Sequence, residues 1–525
     1  MPARSAKWGT GQYNDGGGQV QALLTSAAMT ARPHAAALLA ASALAALLLC
    51  LAGCGDNSRP HTAIALADCR LPRLPLAAQC GTLEVPENRD QPAGRKITLS
   101  VAVLPANTLY PRPDPLFILA GGPGQAASFL GPFAATLTGV RKDRDIVLVD
   151  QRGTGRSSPL KCEAFKPDHS LEAAIEFDPV PKAQACAREL AAQGIDAAQY
   201  TTAAWVADLD AVRAALGYDK INLWGGSYGT RAAQEYLRRH ADHVRSVVLD
   251  GVAAPAMKST LDVWPTREAE LAEVFAACAR SPACAALHPD LSRTLDAIRD
   301  QLGPGGRDVT LTDPRTGAAQ SMRMTFDHVI GALQPFTYAP ELAALLPEVI
   351  GRAMAGDFGP LYAGAMLVTA DLDEQSNTAL HYSVTCAEDV PRVSAAEASA
   401  TLADLRTKAL AQRALAVCAV WPKGTAAADA TTPVKSDVPV LILSGGLDPV
   451  TPPANGAEVA KTLPASRHIV ARGYGHIVSP HACAPRLIAA FIDDPTFATL
   501  PASCVEHFEK SPRPPLWPDR LGARS

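Results

Sequence analysis

A strand-like run at residues 220–224 meets a helix-like run at residues 230–240 through Gly225-Gly226-Ser227-Tyr228-Gly229, and no other five residues constrain the chain as strongly. Glycines two residues before and two after a serine leave room for a turn so tight that the serine backbone is strained and its hydroxyl exposed. Bulkier neighbours would collide there. Such a turn needs a strand to enter it and a helix to leave it, so it belongs to a chain in which the two alternate. An ordinary glycine turn is the alternative reading, and the strand-turn-helix setting argues against it.

The alternation continues on both sides. Residues 97–104 alternate as a strand, 116–120 form a short apolar run ending in Gly121-Gly122-Pro123-Gly124, and 145–150 form another ending in Gln151-Arg152-Gly153-Thr154-Gly155. Residues 205–216 have helical periodicity and 244–250 read as a strand. Unbroken apolar runs closed by glycine loops are those of strands buried on both faces of a parallel sheet. From about 252 to 437 the chain changes to Ala/Leu-rich helices with one hairpin at 308–324, and strands resume at 438–443 and 467–471 before a helix at 485–492. The expected fold class is α/β, a mostly parallel central sheet with a large, mainly helical lid inserted before the last strands. Its expected parts are a first core segment at 80–252, the lid at 253–437, and a C-terminal core segment at 438–525.

A serine hydroxyl becomes a nucleophile when a base takes its proton, and an acid must orient that base; on this kind of turn the chain order is Ser, Asp, His. Asp448 follows the 438–443 strand in Ser444-Gly445-Gly446-Leu447-Asp448-Pro449, and His476 follows the last strand in Gly473-Tyr474-Gly475-His476. Ser227, Asp448 and His476 are therefore the expected catalytic residues. Asp250 is a second candidate for the acid, its alternative task being to cap the turn at Gly251. His468, His481 and His507 lack a glycine-framed loop. Attack on a carbonyl creates an oxyanion that needs fixed donors. Tyr228 supplies the N–H after the nucleophile, and Gly122 is the expected second donor because Pro123 has none.

Charge excludes one class of function. Lys and Arg number 48 against 52 Asp and Glu, with 19% charged residues and no basic run, so nothing is present to neutralise a phosphate backbone and no nucleic-acid partner is expected. Residues 35–51 are apolar except for Ser42 and follow Arg32 and His34, the pattern of a secretory signal, too short for a transmembrane span. The exit, Leu51-Ala52-Gly53-Cys54, resembles the lipobox of bacterial lipoproteins, which implies cleavage before Cys54 and lipidation of its thiol. Residues 1–53 are thus expected to be the signal, with Met29 as the true start, and 54–79 a tether; an uncleaved anchor is the alternative. Either way the body is exported, to the periplasm or cell surface, and held to a bacterial membrane. Setting aside Cys50 and Cys54 among the twelve cysteines leaves ten, an even number suited to an oxidising compartment. They fall into neighbouring pairs: Cys69–Cys80, Cys162–Cys186, Cys278–Cys284, Cys386–Cys418 and Cys483–Cys504. The widest pair, Cys386–Cys418, could instead be two free thiols. No spacing suggests a metal site, and the mechanism needs no cofactor.

Together these stretches resemble the proline iminopeptidase and tripeptidyl aminopeptidase family of α/β-hydrolases. The resemblance rests on Ala120-Gly121-Gly122-Pro123-Gly124, Asp150-Gln151-Arg152-Gly153-Thr154-Gly155-Arg156-Ser157, the Ser227 turn, Val248-Leu249-Asp250-Gly251, residues 443–453 and Gly473–His476. In the lid it rests on Tyr338-Ala339-Pro340, Leu345-Leu346-Pro347 and Gly356-Asp357-Phe358-Gly359-Pro360-Leu361. Ala120 departs from the pattern, because many proline iminopeptidases have histidine there, and this leans the likeness toward the secreted tripeptidyl branch. The resemblance implies a serine exopeptidase acting near the free N-terminus of short peptides, so a carboxylate should bind the substrate ammonium. Glu388, with Asp389 second, is expected in that role, on a segment held rigid by Cys386. Arg152 and Arg156 are expected as structural ties beneath the oxyanion loop. A carboxylesterase of the same fold, and an inactive surface-binding protein on a hydrolase scaffold, are the rival readings.

Overall fold

The structure is a computed structural model that describes residues 63–166, 178–314 and 316–522; the signal segment, Met29 and Cys54 lie outside the described residues. Eleven strands are formed among these residues: β1 (Ala67–Cys69), β2 (Ala78–Pro86), β3 (Lys96–Leu104), β4 (Leu116–Leu119), β5 (Ile146–Val149), β6 (Ile221–Gly226), β7 (Val244–Asp250), β8 (Arg307–Thr312), β9 (Ala319–Met324), β10 (Val440–Gly445) and β11 (Ser466–Ala471). Nine of them make one sheet in the order β1-β2-β3-β5-β4-β6-β7-β10-β11, and β8 with β9 form a separate hairpin. The first three junctions, through β3–β5, are antiparallel. Every junction from β5 to β11 is parallel. The molecule therefore has the α/β-hydrolase fold expected from the alternation.

The sequence explains the strands at the centre. Every residue of β4, β5, β6 and β10 is buried, as the mainly apolar composition of these strands requires when helices cover both faces of a parallel sheet. One face packs on the helices Thr202–Ala215 and Tyr228–His240 around Leu209, Val212, Tyr236 and Leu237. The other packs on the helix Ala484–Asp493 through Leu487, Ile488 and Phe491. Each such side chain stabilises the fold by about 1.5–3 kcal/mol, so the sheet is anchored on both sides.

One difference from the sequence reading stands out. The stretch expected as a tether contributes β1 and the start of β2 to the sheet edge, and Cys69 bonds Cys80 across that pair. All ten cysteines pair with their neighbours, the remaining bonds being Cys162–Cys186, Cys278–Cys284, Cys386–Cys418 and Cys483–Cys504. Between Ser259 and Ala419 the chain is helical apart from the β8–β9 hairpin, and it has its own apolar core around Leu295, Ile330, Leu346 and Ile350.

Candidate active site

β6 ends at Gly226 and the helix Tyr228–His240 begins one residue past Ser227, which sits at φ 54°, ψ −123°. That is the left-handed strain a nucleophile turn stores, and the neighbours permit it. A Cβ on Gly229 would stand 2.2 Å from the Leu119 carbonyl oxygen, so only glycine lets the helix start that close to β4. The Ser227 N–H donates to the Asp250 carbonyl at 2.9 Å, fixing the turn to the end of β7.

Asp448 and His476 arrive from the loops after β10 and β11. His476 Nδ1 lies 2.9 Å from Asp448 Oδ2. Asp448 Oδ1 accepts from the Val450 and Thr451 N–H groups, both at 2.8 Å, and Oδ2 also accepts the Thr451 hydroxyl at 2.8 Å. Since that hydroxyl gives its proton to the carboxylate, its contact with His476 Nδ1 at 3.2 Å leaves it accepting. The Nδ1–H is thus shared between Asp448 and Thr451, and Nε2 is left free to act as a base. Burial would push the imidazole pKa down, but the Asp448 charge and hydrogen bond, aided by Asp250 and opposed by Arg267, raise it above its ordinary value. Burial works to raise Asp448, and the His476 charge and hydrogen bond, with the Thr451 and Val450 N–H groups, outweigh it and hold the carboxyl below its usual range.

Asp250, the second candidate for the acid, does something else. Its carboxylate accepts the Val478 N–H at 2.9 and 3.0 Å and the Ser479 N–H at 2.6 Å, so it holds the segment just after His476. His468 bonds Ser444 and His507 bonds Tyr474, both away from the serine.

Ser227, Tyr228, Gly122 and His476 line one cavity of about 710 Å³ roofed by the lid. No hydrogen bond joins Ser227 to His476 among the described residues; such contacts often tighten only when substrate is bound. Tyr228 opens its helix, so its N–H has no intrahelical acceptor and the positive end of the helix dipole lies there. Gly122 stands in the loop after β4 at φ +106°. A lid segment clasps that loop: Asn377 N–H donates to the Gly124 carbonyl at 2.9 Å, Ala126 N–H to the Gln375 carbonyl at 3.0 Å, and Gln125 forms an antiparallel bridge with Ser376. A Cβ on Gly124, at φ +116°, would meet the Asn377 carbonyl oxygen at 2.6 Å, so glycine allows the clasp. Below the loop, Asp150 accepts from the Ser128 N–H and hydroxyl and from the Arg156 N–H. Arg152 is fully buried and grips Asp208 with two hydrogen bonds, at 2.6 and 2.7 Å.

The structure corrects one expectation. Glu388 and Asp389 do not line the cavity. Glu388 accepts the Thr202 N–H and hydroxyl, both at 2.7 Å, while Asp389 pairs with Arg231 at 2.8 Å and Arg392 at 3.0 Å. Two buried carboxylates need such partners, and the sequence around Cys386 does not reveal Arg231, 158 residues away on the helix after Ser227. The reading also missed Thr451, though its place three residues after Asp448 is a recognisable side-chain turn. Arg267 and Tyr338, which border the cavity from the lid, carry no local signal of that position. Among the described residues no cluster of His, Cys, Asp and Glu is arranged to hold a metal ion.

Comparison with known proteins follows the same lines. Residues 114–325 match the family model described as α/β hydrolase fold, and residues 405–504 match the one described as TAP-like protein. Serine protease Hip1 of Mycobacterium tuberculosis is 26% identical over 519 residues, spanning 89% of this chain and 97% of that protein. Carboxylesterase B of the same organism is 29% identical over 423 residues, 74% of this chain and 78% of the relative. Tripeptidyl aminopeptidase of Streptomyces coelicolor is 34% identical over 200 residues, 35% of this chain and 36% of the relative.

Proposed function

We propose, for a chain that is a serine hydrolase of the α/β-hydrolase fold, that it is an exported peptidase that cleaves short peptides near their free N-terminus through an acyl-enzyme. The observation that carries the hydrolytic part is the hydrogen-bonded set of Asp448, Thr451 and His476 opening onto the same cavity as the strained Ser227. In this reading His476 takes the Ser227 proton as the hydroxyl attacks the carbonyl. Asp448 keeps the imidazole in the tautomer with Nε2 free and stabilises the imidazolium. The Gly122 and Tyr228 N–H groups hold the oxyanion, and His476 then passes its proton to the leaving amine. Water repeats the cycle on the acyl-enzyme. The names of two relatives support a peptide substrate. Five disulfides suit an oxidising compartment, and a lipid on Cys54 would keep the protein at the membrane.

A second reading, a carboxylesterase, is favoured by one observation: no carboxylate lines the cavity among the described residues, so none is in place there to meet an ammonium. Free-amino peptide amides, their N-acetylated forms and a p-nitrophenyl ester separate the two. Turnover of the amides, lost on acetylation and absent in Ser227→Ala, is the expected result. Ester turnover alone would make the protein an esterase, and failure of a fluorophosphonate to label the wild type better than Ser227→Ala would end both readings.

A further inference from the structure

The helix Ser259–Arg280 forms part of the lid, and its Arg267 borders the cavity that holds Ser227 and His476. Among the described lining residues it is the single permanently charged side chain. Its guanidinium lies 5.5 Å from the Trp264 ring and 5.6 Å from the Tyr338 ring, and one Nη donates to the Tyr338 hydroxyl at 2.8 Å. These contacts fix the plane of the fork and neutralise none of its charge. Arg267 makes no ion pair with a described carboxylate, and its Nε is buried without an acceptor. The fully or nearly buried arginines Arg144, Arg152 and Arg231 each pair with a carboxylate, of Asp114, Asp208 and Asp389 respectively, even where one nitrogen is left without an acceptor. A cation held rigid at a cavity wall without a counter-charge is placed to meet an anion that enters the cavity.

Its position says which part of the substrate carries that anion. Tyr338, which Arg267 grips, accepts the His476 N–H on its carbonyl at 3.0 Å and sets its ring edge-on to the imidazole, 5.6 Å between centroids. Arg267 therefore stands on the histidine side of the cavity. His476 gives its proton to the leaving group, so that is where the leaving group lies. We propose that Arg267 binds a carboxylate on the leaving-group part of the substrate, which in a short peptide is the C-terminal α-carboxylate. This rests on the reading of Ser227 as the nucleophile. It makes the enzyme a reader of both cleavage site and chain end, selecting peptides short enough for the far terminus to reach Arg267.

The test measures kcat and KM of the full-length chain on tripeptides presented as free acids and as C-terminal amides, and on amidated peptides with glutamate or glutamine in the released part. The readout is the acid-to-amide ratio within each variant, so a general loss of activity cancels. Wild type is expected to prefer the free acid by about 10–100-fold, mostly through KM. Arg267→Met should bring the ratio to about one, and Arg267→Lys should retain part of it. A wild-type ratio near one, a ratio unchanged in Arg267→Met, or a preference for the glutamate side chain without one for the free C-terminus would each overturn the assignment. Fluorophosphonate labelling of Ser227 in the same preparations separates that failure from failure of the underlying reading.

Discussion

Thr451 puts a third party between the acid and the base. Its hydroxyl saturates Asp448 while offering a lone pair to the imidazole Nδ1–H, so the ring is steered from two directions. Thr451→Ala is expected to lower kcat/KM by about 10–100-fold, the worth of a hydrogen bond to a charged group, and Thr451→Ser to restore most of it. The pH profile offers a second check. His476 must be neutral to accept a proton, and its pKa is raised in the folded protein. The acid limb of kcat/KM should therefore lie above the ordinary imidazole value of about 6.5, and Asp448→Asn should move it down. Ser227, Asp448 and His476 were legible because each sits in a glycine-framed loop at the end of a strand-like run. Glu388 and Asp389 were misread because a sequence displays a carboxylate without displaying what it faces, and Arg231 faces both.

Among the elements, the helix Thr378–Glu388 links the lid to the catalytic floor. Its N-cap, Asn377, bonds the Gly124 carbonyl, and near its other end Cys386 is joined to Cys418. The loop closed by the disulfide holds the helices Ala395–Leu402 and Lys408–Ala416. Replacing both cysteines, Cys386→Ala with Cys418→Ala, is expected to cost about 2–4 kcal/mol in thermal or denaturant unfolding. It should also lower kcat and raise KM together, because the same helix supports the oxyanion loop through Asn377 and walls the cavity with His381, Tyr382 and Thr385. Long apolar strands and the β8–β9 hairpin could be read from their patterns. β1 could not, since three residues, Ala67–Cys69, carry no periodicity and pair with β2 only at the sheet edge. The clasp of 375–377 on the oxyanion loop was equally hidden, because it is made by backbone groups that every sequence possesses.

For the whole molecule, the parallel sheet presents its strand ends to a cavity that the lid roofs, and the cavity is walled largely by apolar side chains such as Trp224, Trp264 and Tyr382. A volume of about 710 Å³ accommodates a few residues and excludes a folded chain. Rates on a series of peptides of rising length should fall steeply beyond a handful of residues, and casein should be cut far more slowly than a tripeptide; comparable rates on both would contradict a roofed site. No helix among the described residues is long and apolar enough to cross a membrane. The bridge between Gln125 and Ser376 adds a further condition. Were the lid to swing away, it would carry off the strand partner of the loop that stabilises the transition state. Entry and chemistry are thus tied together: any movement of residues 375–377 that widened the way in would also release the backbone that steadies the Gly122 donor.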